Sequence, residues 1–513
     1  MPLLLLLLLT LACLYDSWPP PWNWVGGPEW SALYTWVGVA LVVACAMLLS
    51  WGMRGKLARS PHKRESLLLR YQSWRFYHQI GLFLVYLLAL YVFKWGWALE
   101  SWGLTVAGPE PGVMVLLPGA ELLVLAPLLV GLILSWCCFY DADRAFHDTP
   151  PPADLNHAFQ DGALIAEAPR GPFWSRWAHL SFHLRHNLAL VCLPVLLIVI
   201  IKGAGRFIPD NNGLWQQLAS YAGMAATGAV FIAMPWVLRV VFRLKPLPEG
   251  PLRTRLLDTA RRLNFRCSDV LLWETKSHVA NAMVAGVVPW LRYVVLTDRL
   301  VSDLTTEEIE AVFGHEVGHI KHHHMLYYLG FLLASVAMLW AGFLLFQDSF
   351  KDWSFVQEHY DLAVLPFVCA VGVYLFVVFG YLSRRCERQA DLFGCRTVSC
   401  LRPDCGAHHG DAELAPGGCA LCPTGIHTFM DALEKVGQLN GISRDRPGWL
   451  QSWQHSTIAR RVAFLSQVLA DQRVEKQFQR RVVMVKWGLM LGVSAVLLTL
   501  MLTQFTFISR AGF

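Results

Sequence analysis

Apolar runs long enough to cross a lipid bilayer decide what this chain can fold into. They fall at about 32–53, 80–99, 122–139, 218–238, 325–346, 362–382 and 487–507. A spanning helix needs about 20 apolar residues, and lipid offers no partner for an unpaired backbone N–H or C=O. A shorter run at 188–201 is counted as a further crossing. Composition agrees, with 55% hydrophobic and only 16% charged residues, against about 25% charged in a typical soluble protein. The expected architecture is therefore a mainly α, multi-pass membrane protein. Residues 1–30 read as a leader and interfacial segment. Their Leu-rich start is too short to span comfortably, and Trp18, Trp22, Trp24 and Trp30 suit a membrane–water boundary.

Charge orients the spans. Arg54, Lys56, Arg59, Lys63, Arg64, Arg70 and Arg75 crowd the stretch after the first run, which the positive-inside rule places in the cytoplasm. Counting crossings onward puts the polar segment around residue 315 on the cytoplasmic side and the acidic loop 347–361 outside. A net charge of +6 is small for 513 residues and gives no reason to expect nucleic acid as a partner.

The chemistry concentrates in His315-Glu316-Val317-Gly318-His319. Histidines four apart share one helical face and can reach one metal ion. Zn²⁺ suits imidazole nitrogen and in catalytic sites takes three protein ligands, keeping a fourth position open. Glu316 lies beside the ligand pair, placed to act as general base. Thr305 and Glu308 form a capping box that starts the helix. A third ligand is offered by Arg385-Cys386-Glu387-Arg388-Gln389-Ala390-Asp391, where Glu387 and Asp391 are again four apart. Glu387 would complete a His₂Glu set, and Asp391 would accept the spare N–H of a ligand histidine.

From 243 the chain turns soluble. Residues 251–263 have helical spacing, and 269–273 and 292–297 read as strands. The expected domains are an N-terminal transmembrane region at 31–242 and a peptidase domain in two parts, 243–324 and 383–475. A transmembrane hairpin at 325–382 separates the two parts, and a C-terminal transmembrane helix occupies 484–508. Within the second part, the insert 399–424 carries Cys400, Cys405, Cys419 and Cys422 among glycines and prolines. So little apolar surface needs another source of order, and a second, structural Zn²⁺ on these thiolates would supply it. His408 or His409 could replace one thiolate. The polar segment 141–186 shows no functional motif.

HEVGH followed by two spans and then Glu387-Arg388-Gln389-Ala390-Asp391 resembles the integral-membrane gluzincin metallopeptidases. That group includes type I CAAX prenyl endopeptidases, HtpX-type proteases and Oma-type proteases. The resemblance covers roughly 245–470 and implies an α+β zincin-like catalytic domain. It further implies that Ser277-His278, Asn281-Ala282 and Gly286 mark a substrate-edge strand, with Asn281 on the bound peptide. His324 has a counterpart in the prenyl endopeptidases. His455 and Arg461 are similar to a late His-Pro…Arg motif that approaches the substrate, although Ser456 stands where that motif has proline. The expected activity is zinc-dependent cleavage of membrane-associated protein or peptide substrates. Two other readings use the same residues: a non-catalytic membrane scaffold that kept a zincin fold, and a dedicated CAAX-type maturation protease.

Overall fold

The computed structural model describes residues 25–103, 105–107, 114–116, 121–149, 172–189, 213–276, 279–335, 353, 360–402, 404–407, 414–416, 421–440, 442, 444 and 455–511. Residues 1–24, nearly all of 188–201 and the acidic loop 347–361 apart from Trp353, Tyr360 and Asp361 lie outside these residues. The chain is mostly helical with a small mixed sheet. It divides into two units, one running to Leu244 and including Gly286–Leu291, the other Lys245–Ala285 with Arg292–Phe513.

Among the described residues, four helices of the first unit are long and apolar enough to cross a membrane: Pro28–Arg59, Ser66–Val92, Ala126–Asp148 and Tyr221–Val241. The second begins and ends earlier than the run at 80–99. Beyond Val92 the backbone breaks at Lys94, which is buried with a left-handed φ of 57°, and a separate short helix, Trp95–Ser101, follows. Hydropathy does not register such a break, because Trp95, Trp97 and Leu99 remain apolar. Leu82, Tyr86, Trp95, Leu128 and Trp136 form one core between these helices. Segment 141–186, which showed no motif, contributes a polar clasp. Asp143 accepts from Tyr71 at 2.9 Å, pairs with Arg75 at 2.9 Å and lies 3.0 Å from His179 Nε2, and His183 adjoins His179. Arg75 balances the Asp143 charge, so the cluster holds three helices together by charge and hydrogen bonding.

The second unit begins with β1 (Lys245–Pro246), α1 (Pro251–Arg262), β2 (Asp269–Trp273), β3 (Ala282–Ala285) and β4 (Tyr293–Thr297). The sheet order is β1-β2-β4-β3, with β2 and β4 parallel and both outer pairs antiparallel. The β-branched and aromatic content of β4 suits this central place, and all five of its residues are buried. Strand β3 is an edge. After a six-residue helix, Asp298–Asp303, comes α2 (Thr306–Lys321), whose Phe313 and Val317 share a core with Val294 and Leu296 of the sheet. The Thr305–Glu308 capping box is formed in full.

After α2 the apolar helix His324–Ser335 begins the hairpin. Its return limb is α3 (Tyr360–Thr397), a continuous helix containing both the run 362–382 and Glu387. Phe331, Leu382 and Cys386 bury together between the limbs. Then follow α4 (Pro423–Leu439), α5 (Ile458–Ala470) and α6 (Arg473–Ala511), the last containing the run 487–507.

Candidate active site

Two glycines bring the ligand helices together. A Cβ on Gly314 would lie 2.2 Å from Thr397 Oγ1, and one on Gly318 would lie 2.9 Å from Phe393 Cβ and 3.3 Å from Ala390 Cα. Both face α3, so α2 and α3 approach more closely than side chains would permit. That approach carries Glu387 to the HEVGH face. His315 Nε2 and His319 Nε2 are 3.2 Å apart, and Glu387 oxygens lie 3.8 Å from the first and 3.6 Å from the second.

The outer partners fix which nitrogen is available. His315 Nδ1 lies 3.0 Å from Asp391 Oδ1, and a carboxylate there calls for an N–H on Nδ1, leaving the Nε2 lone pair inward. Burial, reinforced by the His315 charge, lowers His319 to about 4, so its imidazole is neutral. Two Nε2 atoms beside a carboxylate form a His₂Glu donor set, the chemistry that Zn²⁺ takes. The expected ligands therefore fit a divalent metal.

Glu316 is half-buried on the side nearest the sheet and takes a backbone hydrogen bond from Val284 of β3. Burial raises its carboxyl to about 7; the His315 charge opposes this and Glu387 adds to it. Burial also pushes Glu387 up, but the hydrogen bond and charge of His455, with the charges of Arg461 and His315, outweigh it and hold the carboxyl well below the usual range.

His455 is exposed at the rim, with Nδ1 3.1 Å from Glu387 Oε1. Ser456 after it has φ +65°, which proline cannot adopt. The serine therefore permits a bend that the proline-containing motif would forbid, just before Thr457 caps α5. Arg461 is buried and turned inward. Its guanidinium donates from Nε to Asp391 Oδ2 at 2.9 Å and from Nη2 to Asp391 Oδ1, while Nη1 lies 3.8 Å from Glu387. In this structure Arg461 braces the carboxylates instead of facing the open side. Asn281 is exposed just before β3, its backbone N–H donating to Thr297 Oγ1 and its carbonyl accepting from Thr297. Ser277 and His278 lie outside the described residues.

The structure gives His324, named above only for its counterpart, a place beside the site, together with residues that the sequence reading missed. His324 is fully buried, with Nδ1 3.0 Å from His319 Nδ1 and Nε2 3.1 Å from Gln389 Oε1. Gln389 in turn meets Gln479 and Lys486 of α6. Phe429 of α4 stacks on the His315 ring at 5.7 Å. In the sequence this network shows only as Lys486 standing at the edge of the apolar run 487–507.

Residues 246–408 match Peptidase family M48. The chain is 28% identical over 221 residues to a CAAX prenyl protease 1 homolog of Oryza sativa subsp. japonica, covering 41% of this chain and 52% of that one. It is 29% identical over 171 residues to a Protease HtpX homolog of Aeropyrum pernix, covering 29% and 53% respectively. The chain spans about half the length of these curated relatives. The crystal structure of S. mikatae Ste24p aligns with 84% of this chain and 98% of its own, at TM-score 0.47 and 17% identity. In its ligand motif, helical hairpin and membrane helices, the chain resembles an integral-membrane metallopeptidase.

Proposed function

We propose that this chain is a membrane-embedded zinc endopeptidase, with His315, His319 and Glu387 as metal ligands and Glu316 as the general base. The observation that carries the reading is the convergence of both Nε2 atoms and the Glu387 carboxylate beside Glu316. Bound there, Zn²⁺ supplies a Lewis acid that polarises the scissile carbonyl and acidifies the attacking water. Glu316 takes the proton of that water and passes it to the leaving amine. The outer edge of β3 binds the substrate as an added strand, its backbone supplying the hydrogen bonds and Asn281 a side-chain contact. His455, at the rim, donates to the oxygen that gains charge. Asp391 and Arg461 hold His315 and Glu387 in place. Substrates are membrane-associated proteins or peptides, and the catalytic unit faces the cytoplasm.

Glu316→Gln tests the mechanism. Cleavage of a membrane-anchored reporter peptide should fall by about 10²-fold or more, with catalytic zinc still bound. A variant as fast as the parent would sink the proposal. Comparing a farnesylated peptide with a misfolded membrane protein then separates dedicated maturation from quality control.

A further inference from the structure

The insert after α3 takes no part in the proposed reaction, yet it gathers three thiols. Cys400, Cys405 and Cys422 place their Sγ atoms within 4.8 Å of one another. Cys400 lies just past the end of α3, bridged to Leu414; Cys405 lies in the next turn; Cys422 caps the start of α4. Cys400 and Cys422 are buried and Cys405 is partly so. Backbone N–H groups face two of the sulfurs, from Arg402 to Cys400 at 3.4 Å and from Gly425 to Cys422 at 3.3 Å. Amide donors of this kind are the outer partners that metal-bound sulfur accepts from.

The spacing discriminates among occupants. A disulfide joins two sulfurs at about 2.0 Å and would leave the third outside the bond. A tetrahedral zinc site with Zn–S bonds of about 2.3 Å has S···S edges of roughly 3.8 Å, within the observed spread. We propose that Cys400, Cys405 and Cys422 form a second metal site, a thiolate site for Zn²⁺ whose role is structural. Cys419, expected from the sequence as a fourth ligand, lies outside the described residues.

Its position gives the site a purpose. Ser399 Oγ accepts the Cys422 N–H and donates to the Cys395 carbonyl, and a Cβ on Gly425 would lie 2.3 Å from Ser399 Oγ. The thiolates therefore clamp the C-terminal end of α3 to the first turn of α4. The same two helices carry Glu387 and Asp391 on one side and Phe429 against His315 on the other. A metal in the clamp would hold the catalytic helices in register without touching the substrate.

The test uses the full-length protein, purified in detergent under reducing conditions. The parent should hold two zinc ions per chain by mass spectrometry, and Cys405→Ser one. Because that variant could misfold, the parent is also loaded with Co²⁺ after chelation. A near-ultraviolet thiolate-to-cobalt charge-transfer band is expected, and it should persist when His315→Ala and His319→Ala remove the catalytic ligands. Native alkylation should spare Cys400, Cys405 and Cys422 until a chelator is added. One zinc per parent chain with no charge-transfer band overturns the proposal, as does a disulfide among these residues in protein never exposed to oxidant.

Discussion

At the residue scale, buried charge organises the centre from behind. Burial pushes the Asp391 carboxyl up, yet the Arg461 charge and the His315 contact outweigh it and hold Asp391 below its ordinary value. Glu387 is held low in the same way. A carboxylate depressed in the folded state contributes stability that is complete above the unfolded value, near 4, and lost as pH falls through the folded value. Arg461→Met removes the counter-charge while keeping bulk, leaving Asp391 buried and poorly compensated, a change that costs about 3–5 kcal/mol. The loss should be largest at pH 7 and shrink as pH falls toward 4, where Asp391 of the variant protonates. Denaturant melts of metal-chelated parent and variant at both pH values measure it. A loss independent of pH would reduce Arg461 to a packing role.

At the element scale, the close contact of α2 with α3 depends on Gly314. Alanine there would put its Cβ 2.2 Å from Thr397 Oγ1 and 2.5 Å from Thr397 Cβ, atoms on a buried helix with no room to yield. Gly437→Ala meets only the tip of the Ile458 side chain, 2.1 Å from Cδ1, and that tip can rotate. Gly314→Ala should cost about 1–3 kcal/mol and move Glu387 away from the histidines, lowering both zinc affinity and turnover. Gly437→Ala should cost less and leave zinc bound. Equal losses in thermal melts and zinc titrations would mean that the α2–α3 approach is not what sets the site. Sequence made the separate parts legible: the capping box of α2, the apolar β-branched runs of β2 and β4, and two four-residue spacings, His315–His319 and Glu387–Asp391, each on one helix. What joins the parts was not legible. Arg461 meets Asp391 across 70 residues and Lys486 meets Gln389 across 97, and no local periodicity encodes such pairs. Gly314 and Gly318 stand four apart on one helix face, but only the neighbour across the interface gives that face meaning.

At the scale of the whole molecule, α3 couples the membrane to the chemistry. Its 38 residues make a helix about 57 Å long at 1.5 Å per residue, whereas the hydrocarbon core takes about 30 Å. Glu387 and Asp391 thus sit on the extension of the same rod that holds the apolar run 362–382, and α6 similarly joins Gln479 and Lys486 to the run 487–507. Since the proposed ligands and their supports are the polar ends of apolar helices, the depth of those helices would fix the side on which the proposed cleavage occurs. Arg54, Lys56 and Arg59 end the helix Pro28–Arg59 and Arg64 opens the next, so this end of the pair is strongly basic. By the positive-inside rule this end is expected in the cytoplasm, and the proposed function puts the catalytic unit on the same side. A specific protease site inserted at Glu249, an exposed position between β1 and α1, should be cut only from the cytoplasmic face of sealed vesicles. A second site inserted in 347–361 should be cut only from the opposite face. Cleavage of both from one face would mean that the hairpin does not cross. Reversed accessibility of both would place the catalytic unit outside, where the substrates would have to be extracytoplasmic.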